Sequence, residues 1–539
     1  MLKKNDIIEL EITGYTTDGY GVGHYDSMAI FVPFTAKGDV LSVRILKTKK
    51  TYAYGKIEEI KNKSEDRIPS DCEAFTKCGG CIFRHINYES EAKLKKERVE
   101  ETLKRIGHLD VKVDEIIAAE NPCRYRNKAQ YPVGEKDGLK IGFFATHSHR
   151  IVECDDCKLQ PDFFKEISDV IREWIVDNKI SIYDEITHKG LLRHIYIRYG
   201  EVTNEIMVCL VINGHRLPHS DELINALEKF ENIKSIVLNI NTEKSNVILG
   251  KEIKVLSGRG YIEDVLCGLK FRLSPLSFYQ VNRNQAEKLY AKAAEYADLK
   301  EDEILFDLYC GTGTIGLTMA DKVKKLIGVE IVEAAIEDAK INAEVNGIEN
   351  AEFYCADAAE LAEELLKKNI KPDVIIVDPP RKGCSADLLD TIEKLSPKRI
   401  VYVSCDPATL ARDCKELDER NYKIKKVTAV DMFPRTAHVE TVVLLSQRRP
   451  DTHIDIKLDL SELDVTAAET KATYQEIKDY VFEKHGLKVS SLYISQVKAK
   501  CGIIERENYN KGEGKSRVPQ CPKEKEAAIM DALRYFRMI

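Results

Sequence analysis

From Leu299 onward, apolar segments recur in a pattern that strongly restricts the fold. ILFDLY, KKLIGVE, AEFYCAD, DVIIVDPP and RIVYVSCDP are each followed by ten or more helix-compatible residues. Segments that are apolar throughout, rather than alternating, suit strands covered on both faces, and parallel strands need crossover helices to cover them. Residues 291–446 therefore read as an α/β, doubly wound parallel sheet. Such sheets bind ligands beyond the carboxyl ends of their strands, so the residues closing each apolar run are the candidates for chemistry.

The remainder of the 539 residues is too long to share one core with that sheet, and three or four units are expected. Residues 1–60 alternate apolar and polar in IIELEI, AIFVPF and DVLSVRILKT, broken by the turns DGYGVGH and AKGD, which reads as a small β-barrel. Residues 61–109 carry Cys72, Cys78 and Cys81 and then a charged helix, a connector organised by metal. Residues 110–290 mix strand and helix patterns, giving a central α+β domain. Residues 447–539 open on a polar linker and continue as a helical extension, either an RNA-contacting appendage or a stabilising cap. No apolar run approaches the roughly 20 residues that span a bilayer, and the amino-terminal segment lacks a signal peptide, so no membrane partner and a cytoplasmic location are expected.

Two observations concern the cofactor. Gly311, Gly313 and Gly316 in DLYCGTGTIG form a G-x-G-x-x-G between a strand and a helix, and Glu330 ends the next strand, where a carboxylate can meet ribose hydroxyls. A dinucleotide and S-adenosyl-L-methionine both suit that geometry. Asp307, placed for a cationic amino-acid tail, and the fourth strand's end at Asp378-Pro379-Pro380 favour S-adenosylmethionine. Asp357, at the third strand end, is placed for the adenine, although such an Asp also makes a good helix N-cap.

The fifth strand ends in Ser404-Cys405-Asp406-Pro407, a thiol at the ligand-binding edge. Carbon 5 of uracil is too weak a nucleophile to accept a methyl group unaided. A thiolate adding at carbon 6 makes it an enolate, and a base must later remove the carbon 5 proton. Cys405 can supply the thiolate and Glu440 the base, with His438 as the rival base. Arg381 replaces the aromatic residue expected after Asp-Pro-Pro in amine methyltransferases, which argues against an amine substrate. Elsewhere, Cys72, Cys78, Cys81 and Cys157 could hold zinc or a cubane iron-sulfur cluster, and spacing does not separate the two. With no export signal, the fifteen cysteines are expected to be reduced.

These motifs resemble the RNA uracil-5-methyltransferases, in particular the 23S ribosomal RNA branch, which has an N-terminal TRAM domain and an iron-sulfur cluster. SFYQVN (277–282), DLYCGTG (307–313), DPPRKG (378–383), SCDPATLARD (404–413) and HVETV (438–442) carry the resemblance, which runs from residue 1 to about 446. It implies a class I, Rossmann-like methyltransferase sheet behind an OB-like TRAM barrel. It also implies Cys405 as nucleophile, Glu440 as base, and Gln280, Tyr309, Glu330 and Asp378 near the cofactor. Asp357 falls where the family varies. Phe278 matches the residue that stacks on the extruded base, with Gln280 and Asp378 also facing the substrate. By the same resemblance a [4Fe-4S] cluster falls to Cys72, Cys78, Cys81 and Cys157, with Cys154 spare.

The formal charge of −7 speaks against an RNA partner only as an average, because Lys47, Lys49 and Lys50, and Lys93, Lys95, Lys96 and Arg98, are local basic runs. In the barrel, Tyr15, Tyr20, His24, Tyr25 and Phe31 are candidate RNA contacts. Arg124, Arg126, Asn127, Lys128, Arg193 and His194 are the candidates in the central domain. Ribosomal RNA is the expected partner, since the transfer-RNA branch generally lacks both the TRAM domain and the cysteines. A monomer is expected, with oligomeric state open. The alternatives are an RNA cytosine-5-methyltransferase, disfavoured because Cys384 falls beyond Gly383 instead of following a Pro, and a non-catalytic ribosomal RNA-binding assembly factor, which intact Cys405 and Glu440 disfavour.

Overall fold

The computed structural model describes residues 2–136, 138–447, 472–501, 503, 520–536 and 538–539, and the chain divides into two compact units at residue 450. The polar linker expected after Gln447 lies outside the described residues.

In the first unit, the apolar runs become an eight-stranded sheet. Its order is Ala351–Cys355, Lys325–Glu330, Ile304–Leu308, Val374–Val377, Arg399–Ser404, Glu440–Gln447, Tyr422–Val430 and Glu115–Ile117. The first five pair in parallel, and Glu440–Gln447 runs antiparallel to both its neighbours. Successive residues of a strand face opposite sides, so Ile376 and Val401 enter one core while Ile375 and Ile400 enter another. Both faces are buried, which is why these strands are apolar at every position. The strand Ile304–Leu308 pairs with Lys325–Glu330 on one side and Val374–Val377 on the other. That reversal of strand order opens a crevice at the carboxyl edge.

The central region forms a seven-stranded sheet with Lys128–Gly134, Leu192–Gly200 and Glu205–Ile212 at its middle. Helices Phe164–Asp177 and Ser220–Leu227 cover one face. From the other face Tyr196, Met207, Cys209 and Val237 enter the same core as Leu305, Ile376 and Val401. This shared core fixes the central sheet against the catalytic one. At the amino terminus a six-stranded sheet from Ile7 to Asn62 buries Ile8, Leu10, Ile30, Val43 and Ile45.

A helix, Tyr88–Arg105, capped by the Asn87 side chain, lies between these parts and sends Val99 and Leu103 into the catalytic core. Its buried Lys95 ammonium donates to Glu91 (2.8 Å), to Asp431 (2.7 Å) and to the Phe433 carbonyl (3.1 Å). The Arg435 amide donates to Glu91 (2.6 Å), and the Arg435 carbonyl accepts from the amides of Ile82 and Phe83. The segment that precedes Glu440 is thus held by residues more than 330 positions upstream. Lys95→Met would leave the buried Asp431 without its cation and Glu91 with Arg435 alone, and is expected to destabilise this unit by about 3–5 kcal/mol, read from the urea midpoint.

In the second unit, helices Tyr474–His485, Ser491–Lys500 and Lys523–Tyr535 pack around Ile477, Val481, Ile494, Val497, Ile529 and Leu533. Among the described residues no helix is long and apolar enough to cross a membrane.

Candidate active site

The crevice at the strand reversal opens into a cleft of about 870 Å³. Its walls come from the strand ends and from two upstream segments. Gln280, Tyr309, Glu330, Asp357, Asp378, Cys405, Glu440 and Phe278 all line it, so these cofactor, substrate and catalytic candidates meet in one space.

The loop after Leu308 sets the floor. Tyr309 adopts φ 69° and Gly311 φ 55°, the left-handed region, and a side chain on Gly311 would project into the open cleft. Glu330 accepts from the amides of Ile331 (2.8 Å) and Val332 (3.0 Å), which orients its carboxylate at the strand end. Asp357 caps the helix Ala358–Lys367, accepting from Ala359 (2.9 Å), while it also borders the cleft. Its capping and ligand-facing readings therefore coexist. Asp307 departs from expectation: it is fully buried, accepts from the Gly316 amide at 2.8 Å, and is absent from the cleft lining. It braces the glycine loop from behind, which leaves Asp378 as the carboxylate facing the cleft at that edge.

Asp378 and Glu440 present carboxylates with no hydrogen-bond partner among the described residues. Burial, and then the Asp378 charge, raises the proton affinity of Glu440, to a pKa of about 8, with the Arg381 guanidinium opposing the rise. Burial and Asp307 raise Asp378 to about 7. Two unpaired carboxyls in one cleft suit a cationic ligand, whose charge would favour their ionised forms. Cys405 is pushed up to about 11 by burial and by the Glu440 and Asp378 carboxylates, again with Arg381 opposing. His438 stands exposed at the mouth, edge-on to Phe433. Phe278 is 61% exposed, an aromatic ring left open on the rim.

Arg381, Arg126 and Lys128 also line the cleft. In the sequence Arg381 stands only where an aromatic is missing, whereas the fold brings its charge to bear on both Cys405 and Glu440. Arg126 and Lys128 were expected to contact RNA and do reach the site. Arg193 and His194 do not: Arg193 is buried, donating to the carbonyls of Asn241 (2.7 Å) and Glu243 (2.8 Å), and His194 is buried beside it. Their strand is the middle of a sheet covered on both faces, so LLRH serves packing. Arg124 pairs with Asp156 and donates to the Cys157 carbonyl.

Cys72, Cys78, Cys81, Cys154 and Cys157 line one cavity of about 80 Å³ with Arg84 and Arg126. Among the described residues no group of three or more His, Cys, Asp or Glu side chains is disposed as a metal site, so the arrangement itself does not support the expected cluster. The donor chemistry nonetheless fits an anionic, sulfur-rich group. Five thiols face one another, and the Nε atoms of Arg84 and Arg126, with Nη2 of Arg84, are buried donors lacking an acceptor.

The sheet order, the glycine loop and the cleft define an S-adenosylmethionine-dependent methyltransferase fold. Comparison with known proteins narrows this. The profile of the tRNA (uracil-5-)-methyltransferase family matches residues 87–448, and that of the TRAM domain matches residues 2–57. The chain belongs to this family of RNA uracil-5-methyltransferases. An uncharacterized RNA methyltransferase of Clostridium tetani is 48% identical over 83% of this chain and 97% of its own length. One from Halalkalibacterium halodurans is 44% identical over 82% and 98%. The crystal structure of the Pyrococcus abyssi tRNA (uracil-54, C5)-methyltransferase, in complex with S-adenosyl-L-homocysteine, is similar with TM-score 0.66 and 31% identity over 81% of this chain and all of that one.

Proposed function

We propose that this enzyme transfers a methyl group from S-adenosylmethionine to carbon 5 of a uridine in 23S ribosomal RNA, with Cys405 as nucleophile and Glu440 as base. The observation that carries the reading is the meeting of Cys405, Glu440, Asp378 and Phe278 in one cleft. Bound S-adenosylmethionine supplies the electrophilic methyl group. Glu330 and Asp357 are assigned to its adenosine end, and Tyr309, Gln280 and Asp378 to the region where it meets the substrate.

A uridine within folded RNA must leave its stack to enter the cleft, at a cost of a few kcal/mol. The open face of Phe278 can replace the lost stacking, worth about 1–3 kcal/mol. Cys405 then bonds to carbon 6 as a thiolate, with the Arg381 guanidinium favouring that charge. Carbon 5, now carrying the electron density, forms its new bond to the methyl carbon as that carbon's bond to the sulfonium sulfur breaks and leaves a neutral thioether. Glu440 takes the carbon 5 proton, carbon 6 releases the sulfur, and the double bond returns.

Both groups must lose a proton before they act, so the pH dependence has a definite sign. We expect steady-state turnover to rise with pH from 6 to 9, because burial pushes the Glu440 carboxyl up to about 8 and the Cys405 thiol up to about 11 and both must lose a proton. A profile flat from pH 6 to 9 would contradict the assignment of the base.

Ribosomal RNA is preferred because the family resemblance implies that the transfer-RNA branch generally lacks the TRAM domain and the cysteines that occur together here. A second reading, a transfer-RNA uridine, is favoured by the substrate of the Pyrococcus abyssi enzyme. Incubation with tritiated cofactor and separate 23S and transfer-RNA transcripts decides between them. Tritiated 5-methyluridine in the 23S digest is expected, and incorporation into transfer RNA alone would overturn the preference. The thiol cavity is proposed to hold a [4Fe-4S] cluster through Cys72, Cys78, Cys81 and Cys157, in a structural role, since methyl transfer consumes no electron. Anaerobically purified protein should contain iron and inorganic sulfide in equal amounts, whereas zinc without sulfide would exclude the cluster.

A further inference from the structure

The second unit has no counterpart in the relatives described above. The family profile ends at residue 448, and the Clostridium tetani protein is matched over 97% of its length by 83% of this chain. The stretch that carries its described helices is locally basic, although the acidic residues of 451–471 bring 451–539 as a whole to 15 Lys and Arg against 15 Asp and Glu. Residues 472–539 contain 13 Lys and Arg against 9 Asp and Glu, a net charge of +4, within a chain whose total is −7.

The positive charge is interleaved with aromatic rings. At the junction of the three helices Lys488 lies over the ring of Phe482 (5.9 Å), Lys525 lies over Tyr493 (5.9 Å), and the Lys525 ammonium donates to the Lys488 carbonyl (2.8 Å). These contacts join Phe482, Lys488, Tyr493 and Lys525 into one patch, while Lys523, two residues before Lys525, is exposed at the start of the same helix. Phe482 is 53% exposed and Leu492, beside Tyr493, is 44% exposed. Lys488 and Lys523 form no ion pair among the described residues.

We propose that this patch binds unpaired RNA, with phosphates on Lys488 and Lys525 and a base stacked on Phe482. Single-stranded nucleic acid is gripped by cations that follow its backbone and rings that take its bases, the pairing seen here. A protein partner fits less well, because the cores of protein interfaces are depleted in Lys. A membrane surface fits less well too, because most apolar residues of all three helices turn into their own core, and the exposed Phe482 and Leu492 are too few to form an inserting face. Duplex RNA is disfavoured because the deep groove of an A-form helix is too narrow to read, and the exposed side of Ser491–Lys500 offers little charge. The inference rests on the family's action on RNA, and not on which RNA or which uridine is modified.

The test uses the full-length protein and fluorescence anisotropy of a short labelled polyuridylate across a salt series. Lys488→Glu with Lys525→Glu should reduce the slope of log affinity against log salt by about 1.4, two phosphate contacts' worth for a single strand. Phe482→Ala should weaken binding roughly tenfold, within the range for one lost stacking contact. Lys488→Arg with Lys525→Arg should retain wild-type affinity, which separates lost charge from lost folding. In methylation assays the charge-reversed enzyme should keep its kcat at saturating RNA and raise its KM. Unchanged affinity and salt slope in the Glu variant would overturn the proposal, as would weakened binding in the Arg variant, or a loss seen with a duplex competitor and not with the single strand. Binding is read without any methyl transfer, so failure here is distinguishable from a wrong substrate.

Discussion

Cys405→Ala is expected to lower methyl transfer to RNA by about 10⁴-fold or more, the scale on which loss of a covalent nucleophile is felt. The expectation follows from the uracil ring. Its carbon 5 gains enough electron density to take a methyl group only while carbon 6 carries the sulfur. No other cysteine substitutes: Cys384 also lines the cleft, but it is buried and its thiol faces the Tyr402 hydroxyl at 3.7 Å. The measurement is 5-methyluridine formed per enzyme, together with trapping by RNA bearing 5-fluorouridine, whose fluorine cannot leave as a proton does. Wild-type protein should form a denaturation-resistant adduct with that RNA, and the Ala variant should form none. Normal 5-methyluridine production by the variant would remove the basis of the mechanism.

Glu440→Gln should fail differently. The amide keeps the shape of the side chain but cannot accept the carbon 5 proton, so sulfur addition and methyl transfer proceed while release does not. We expect steady-state turnover to fall by about 10²–10⁴-fold, with methylated RNA accumulating as an adduct on ordinary, unfluorinated substrate. A single turnover of methyl incorporation should survive. The same experiment tests the rival base. If His438→Asn accumulates the adduct while Glu440→Gln turns over normally, the two roles are exchanged.

The catalytic sheet was legible in the sequence because its strands are buried on both faces, and ILFDLY or DVIIVDPP shows this without alternation. The cleft residues were legible for a related reason: an open α/β sheet puts strand ends at its ligand edge, and Glu330, Asp378 and Cys405 are strand ends. What failed to show was contact across long separations. Glu115–Ile117 completes the catalytic sheet beside Tyr422–Val430, yet three residues more than 300 positions away carry no periodic signal. Asp307 looked like a ligand-facing carboxylate because its sequence position suits that role. Only the packing of the loop above it turned the side chain to the Gly316 amide. Arg193 and His194 looked like surface cations, and only the helices and the second core covering their strand made them internal. The uneven charge of residues 472–539 was visible in the sequence, but the juxtaposition of Phe482, Lys488, Tyr493 and Lys525 required three helices to close.

The bracing of the segment before Glu440 by residues 82–95 also bears on how the enzyme is made. The carbonyl of Arg435 and the carboxylate of Asp431 wait for partners synthesised at the opposite end of the first unit. During translation, the amino-terminal third can mature early but remains without activity until nearly the whole unit has emerged. Contacts of such sequence separation form late and slowly. A fragment beginning after residue 110 would thus retain every residue proposed to touch the uridine or the cofactor and still lack the brace for its base. Supplying residues 1–109 as a separate polypeptide is the complementation that would restore it.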